Sequence, residues 1–182
     1  AAPGSKSIAQ RMVACALLAR GESVISDYPD SDDCKAALDI AQSLGAIIMQ
    51  KGSTVKIKGG FPHAFLAGIR NPKNEIFCGE SGLSGRMFIP VAALHDQTID
   101  VNGHGSLLKR SFETFEKILP QLGVEVKSNK GFLPIEVKGP IVPGEVHLDG
   151  SLTSQYLTGL LIALPRAGGP SVVHVSDLKS KP

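Results

Sequence analysis

At 182 residues, with 42% apolar and 20% charged residues, 20 Gly and 12 Pro, the chain has the composition of a globular protein large enough to bury a core without a disulfide or metal staple. Its net charge is only +2, and Lys and Arg are interleaved with Asp and Glu, so no basic stripe can follow a nucleic-acid backbone or an anionic membrane; small ligands are the better candidates. Cys15, Cys34 and Cys78 share no zinc or CxxC spacing and read as reduced, buried small hydrophobes, while Met12–Ala19 is too short to span a bilayer and lacks signal-peptide chemistry, which together predict a cytoplasmic protein.

In chain order, three segments open alike: GSKSIAQRMVACALLARG at Gly4, GESGLSGRMFIPVAALHD at Gly79 and GSLTSQYLTGLLIALPRAGG at Gly150, spaced 75 and 71 residues apart. Each leads from a Gly/Ser-rich turn into an apolar helical stretch and then a strand, at Ser23–Ser26, Thr98–Val101 and Val172–Val175. In the first two copies a second helix is predicted, capped by Ser31 and by Ser106, with Ala37, Ile40 and Leu44 or Phe112, Phe115, Leu119 and Leu122 on its apolar face. Gly45 and Gly123 supply the left-handed residue that ends it, and two short strands follow, closing on KGG at Lys58 or KGP at Lys138. Pro90 and Pro120 fall inside proposed helices and are expected to kink or shorten them.

The repeating unit is therefore βαβαββ, an α/β fold. Residues 1–182 read as one truncated domain with units at approximately 1–60, 75–139 and an incomplete 144–182. The first helix of each copy is apolar nearly all round, which predicts buried parallel helices around a pseudo-threefold axis with the sheets outside. The absent initiator Met and the abrupt stop at Ser180-Lys181-Pro182 suggest that both ends are cut.

Three Gly/Ser-rich turns at one end of parallel helices would gather unpaired N–H groups and partial positive charge, an anion-binding surface. Lys6, Ser7 and Arg11, then Arg110, then Thr153, Ser154 and Gln155 fall at or near these turns. Arg11 heads a stretch too apolar to keep a guanidinium alone, so either an anionic ligand or an internal carboxylate such as Asp32 or Asp33 must accompany it. Asp32 and Asp33 themselves are expected simply to complement a helix dipole. His63, His95, His104, His147 and His174 show no i, i+4 pairing and no Cys at ligand spacing, so no metal is expected. GHG at Gly103 is not a dinucleotide fingerprint.

These residues bring the chain close to a known family. PGSKSIAQR at Pro3, SDD at Ser31, LDGSLTSQYLTGLL at Leu148 and the closing SDLKSKP together resemble the signatures of the 5-enolpyruvylshikimate-3-phosphate synthase family. The resemblance implies transfer of the enolpyruvyl group of phosphoenolpyruvate to the 5-hydroxyl of shikimate 3-phosphate, in aromatic amino-acid biosynthesis, without cofactor or metal. It implies a monomeric enzyme of two domains of three βαβαββ units each, of which this chain is most of one; the second, carrying the acid/base groups, is absent, so the chain alone is expected to be inactive.

By position, the resemblance puts Ser7 and Arg11 on the shikimate moiety, Thr153, Ser154 and Ser180 on its phosphate, Gln155 between the substrates, and Lys6, Gly82 and Arg110 on phosphoenolpyruvate, with Lys6 the one catalytic candidate. Where the family commonly reads Asn-Ala-Gly-Thr-Ala-Met-Arg-Pro, this chain reads Glu80-Ser81-Gly82-Leu83-Ser84-Gly85-Arg86-Met87, keeping only Gly82 and Arg86 in register. Glu80 thus places a carboxylate beside a proposed phosphate site, to be neutralised by Arg86 or another base. The alternatives are the related UDP-N-acetylglucosamine enolpyruvyl transferase, whose first motif has Lys-Asn where this chain has Lys6-Ser7, and a non-catalytic phosphate-binding module.

Overall fold

A computed structural model describes residues 4–59 and 74–178. In the first unit, helix α1 (Lys6–Leu18) begins at Ser5, whose hydroxyl accepts the Ile8 N–H, and leads to β1 (Glu22–Ile25). Helix α2 (Asp32–Ser43) is capped by Ser31 as expected, and a β2–β3 hairpin (Ile47–Lys51 and Thr54–Lys58) completes a sheet of order β1-β3-β2. The second unit adds β4 (Glu75–Phe77) before α3 (Gly82–Ala92) and β5 (Thr98–Asn102), then α4 (Thr114–Ile118), β6 (Glu125–Asn129) and β7 (Phe132–Lys138), giving the order β4-β5-β7-β6. The third holds β8 (Glu145–Asp149), α5 (Gln155–Ala163) and β9 (Val172–Ser176), with β8 and β9 parallel, as are β4 and β5.

The two hairpin-bearing sheets share a register as well as an order. Glu22 of β1 and Ile47 of β2 both sit opposite Lys58, just as Thr98 of β5 and Glu125 of β6 sit opposite Lys138. Past each lysine comes a glycine whose place is fixed by close approach: a Cβ on Gly59 would overlap the carbonyls of Ala16 and Leu17 at the end of α1, and one on Gly139 would overlap the Ala93 carbonyl at the end of α3. The repeated Lys-Gly is thus the point where each unit's last strand abuts the C-terminus of its own first helix.

Three expectations need correction. Ser106 caps no α-helix, because it lies inside a 3₁₀ turn (Gly105–Lys109) that Gly105 opens at φ +58°, where its own N–H donates to the Glu80 carboxylate at 2.7 Å; α4 begins later, where the Ser111 hydroxyl accepts the Glu113 N–H. Phe112, Phe115, Leu119 and Leu122 are nonetheless all buried. Pro90 does not end α3, which continues to Ala92, whereas Pro120 does open a 3₁₀ turn after α4.

The third correction concerns burial. Helix α3 is almost wholly buried, but α1 exposes Ile8, Met12 and Cys15 on one stripe, so Cys15, unlike Cys34 and Cys78, is not a core residue. Helical spacing puts these three on one side of α1, and its opposite side, Ala9, Val13, Ala14 and Leu17, carries the packing against α2 and α3. Helix α3 in turn packs against α5, so it stands between the other two.

Candidate functional site

The first helices of the three units are joined end to end by side chains near their N-termini. Gln10, buried in the second turn of α1, donates through Nε2 to the Lys6 carbonyl (3.2 Å) and accepts through Oε1 from the hydroxyls of Ser81 and Ser84 (both 2.9 Å) at the start of α3. Ser81 in turn caps α3 by accepting the Ser84 N–H. Farther round, Arg86 of α3 donates from Nη1 to Gln155 Oε1 (3.0 Å), the first residue of α5, and from Nη2 to the Ser111 carbonyl (3.2 Å). Contacts of this kind exist only if α1, α3 and α5 start at the same end, which is the parallel arrangement expected of the repeat.

The cations on this surface have distinct environments. Lys6 pairs with Asp33 at 3.0 Å, and the hydrogen bond and charge of Asp33 hold the ammonium above its ordinary pKa, so Lys6 is a fixed cation and donor at neutral pH rather than a base. Asp33, expected only to complement the α2 dipole, therefore also orients Lys6. Arg11 donates to the Ser7 carbonyl of its own helix (3.0 Å) and makes no ion pair among the described residues, which leaves its charge for an external anion.

Arg86 lies over the rings of Phe112 (5.2 Å) and Tyr156 (5.5 Å), and its Nε is buried without a hydrogen bond. Tyr156 also donates to the Ser111 carbonyl (3.0 Å), so two side chains hold the segment that follows Arg110. Gly82, the first residue of α3, is buried against the Arg110 guanidinium, leaving no room for a side chain there.

Glu80 is not neutralised by Arg86. Its carboxylate accepts the Ser106 N–H and stands 3.9 Å from His104 Nδ1; the Ser106 hydrogen bonds, then the charges of His104 and Arg110, hold its pKa below the usual value. The acid next to Gly82 is thus committed to the turn that leads into Arg110.

Of the nine residues singled out from sequence, Gly82, Arg110 and Gln155 gather around Arg86, and Lys6 is tied to them through Gln10. Ser7 and Arg11 lie along α1, with Ser7 exposed. Thr153 accepts the Gln155 N–H (3.3 Å) and Ser154 precedes α5 with no capping hydrogen bond of its own side chain. Ser180 lies outside the described residues. Sequence reasoning missed Gln10, and the signal was there: an amide in the middle of an otherwise apolar helix needs partners.

Comparison with known proteins identifies the family. The family model described as EPSP synthase (3-phosphoshikimate 1-carboxyvinyltransferase) matches residues 1–182. Among proteins named 3-phosphoshikimate 1-carboxyvinyltransferase, that of Clostridium beijerinckii is 35% identical over 98% of this chain and that of Methanocorpusculum labreanum 36% over 100%; the chain spans 42% of each. The structure of EPSP synthase from Acinetobacter baumannii superposes with a TM-score of 0.76 at 26% identity, covering 88% of this chain and 36% of that one. Repeat architecture, the converging helix N-termini and the match over its full length together place this chain in the EPSP synthase family.

Proposed function

We propose that this chain forms one wall of an enolpyruvyl transferase site, in a protein that moves the enolpyruvyl group of phosphoenolpyruvate to the 5-hydroxyl of shikimate 3-phosphate. The reading is carried by the side-chain line from Lys6 through Gln10 to Ser81, and from Gly82 and Arg110 through Arg86 to Gln155. It aligns three helix N-termini, with their unpaired N–H groups, beside cations suited to two phosphorylated anions.

In this assignment Arg11 and Ser7 take the shikimate ring, Thr153 and Ser154 take its phosphate with Ser180, and Gln155 lies between the substrates. Lys6, Gly82 and Arg110 face phosphoenolpyruvate. The raised pKa of Lys6 suits it to stabilise the charge that develops on the departing phosphate, a catalytic task that needs a permanent cation. Proton transfer at the enolpyruvyl carbon falls to residues outside this chain, which spans about two fifths of its relatives. A cytoplasmic, monomeric parent enzyme acting on these two small molecules completes the reading; no described helix is long and apolar enough to cross a membrane.

Calorimetric titration of the chain with shikimate 3-phosphate tests the assignment. Binding should be measurable and should weaken roughly tenfold or more in Arg11→Ala, the loss of one charge-assisted pair. Absence of binding overturns the reading, and steady phosphate release by the chain alone with both substrates overturns the division of labour between walls.

A further inference from the structure

We propose that Glu145, His147 and His174 form a binding site for one borderline divalent transition-metal ion, of the zinc, nickel or copper class, which clips β8 to β9 on the outer face of the third unit. The inference is independent of the anion-binding surface and of the transferase reading. It starts from register: His147 and His174 are directly opposite each other in a parallel pair, and Glu145 is two residues before His147 on the same face of β8. Each of the three side chains is exposed, and one ligand atom from each lies within 4.8 Å of the other two.

The local geometry favours convergence. The two imidazoles stack at 4.5 Å with 10° between their planes, and His174 Nε2 is 3.2 Å from Glu145 Oε2. Ligand atoms about 2 Å from one tetrahedral zinc are separated by roughly 3.3 Å, so the gap to be closed is small and lies within side-chain rotation. A shallow depression of about 240 Å³, lined among others by His147 and His174, leaves space for the ion and a completing water.

The backbone under His147 is also held from its free edge. Gln121, in the 3₁₀ turn Pro120–Leu122, accepts the His147 N–H (2.9 Å) and donates to its carbonyl (3.3 Å). The ligand positions are thus fixed on one side by the ladder to β9 and on the other by the second unit. Two imidazoles and a carboxylate match zinc, copper or nickel and mismatch magnesium and calcium, which want oxygen donors. A two-stranded sheet is marginal by itself, and a metal bridging its strands stabilises it by mass action.

The test is titration of the purified, chelator-treated protein with zinc chloride, read by calorimetry and by thermal unfolding. One saturable site and a rise in Tm that EDTA reverses are expected. Since losing even an indirect support of a metal ligand costs roughly tenfold, His147→Ala and His174→Ala should each weaken zinc by that much or more, and Glu145→Gln should weaken it less. The substituted side chains are exposed, so far-ultraviolet circular dichroism should be unchanged. No saturable binding, binding undiminished in both histidine variants, or equal competition by magnesium each overturns the proposal.

Discussion

Replacing Gln10 with methionine should destabilise the protein by roughly 2–4 kcal/mol, far more than its position in the middle of one helix suggests. The side chain is 2% exposed and its carbonyl is the acceptor for two hydroxyls, Ser81 at 3% and Ser84 at 0% exposure. Methionine fills a similar volume, so little cavity opens, but both hydroxyl hydrogens lose their partner. Each orphaned buried donor costs about 1–3 kcal/mol. The Ser84 hydroxyl can turn back to a carbonyl one helical turn earlier and recover part of that, which sets the lower end; Ser81 cannot, because it stands outside the helix as the cap. For a chain of this size the loss corresponds to a Tm lower by about 5–15 °C. Urea unfolding followed by circular dichroism measures it. The reasoning has a second, sharper consequence: adding Ser84→Ala on the Gln10→Met background should cost nothing further and recover whatever part of the Ser84 penalty the turn back does not relieve. A cost under about 1 kcal/mol for Gln10→Met, or a double variant less stable than the single, would refute it.

Two further predictions concern titration and reactivity. Burial pushes the His95 imidazole from 6.5 down to about 4, so between those values the unfolded chain binds the proton and the folded one does not. Stability should therefore fall as the pH drops through this window, by about 2 kcal/mol at pH 5 relative to pH 7, and urea midpoints of His95→Gln should lack that component; equal pH dependence in both proteins would contradict it. Among the thiols, Cys15 is exposed on α1, whereas Cys34 is fully buried and burial pushes Cys78 up to about 12. Brief treatment of the native protein with iodoacetamide, read by mass spectrometry, should add one label, at Cys15, and three after denaturation; native labelling at Cys78 would mean the second unit opens.

What the sequence revealed was local, and what it concealed was distant. Ser31 as a cap and Gly45 and Gly123 as helix ends, at φ +103° and +75°, are legible because capping and left-handed turns are decided within a few residues. The same holds for the apolar helices α1, α3 and α5. Ser106 failed as a cap because it sits inside the 3₁₀ turn Gly105–Lys109, a turn held at Ser106 N–H by Glu80, 26 residues earlier, a contact that no window of sequence displays. The stripe Ile8, Met12, Cys15 reads as core in any apolar helix, since hydrophobicity says that a side wants cover and not whether a neighbour supplies it. His147 and His174 escaped a search for i, i+4 pairs because strand register, not helical spacing, joins them across 27 residues. The candidate site residues occupied a middle ground: their turns were visible, but the bonds from Gln10 to Ser84 and from Arg86 to Gln155 span 74 and 69 residues.

Those long-range bonds explain how the wall can hold several cations without neutralising them. An exposed pair such as Lys6 with Asp33 contributes little net attraction in water, so it orients the ammonium while leaving it available to a stronger, doubly charged partner. Arg86 is held by aromatic faces, an amide oxygen and a carbonyl, none of which carries negative charge. Glu80, whose carboxylate feels the charge of Arg110, is partly satisfied by the Ser106 N–H. Among the described residues, Arg11 makes a hydrogen bond to a backbone carbonyl and no ion pair. Lys6, Arg11 and Arg86 are thus positioned chiefly by neutral or solvent-screened groups, the arrangement the proposed anion site needs: pairing each base with a buried acid would fix the geometry equally well and abolish the field. The neutral residues of the seam, Gln10, Ser81, Ser84, Ser111 and Gln155, are therefore as much part of the electrostatics as the charged ones, because they keep the three helix N-termini and their cations together without cancelling the charge.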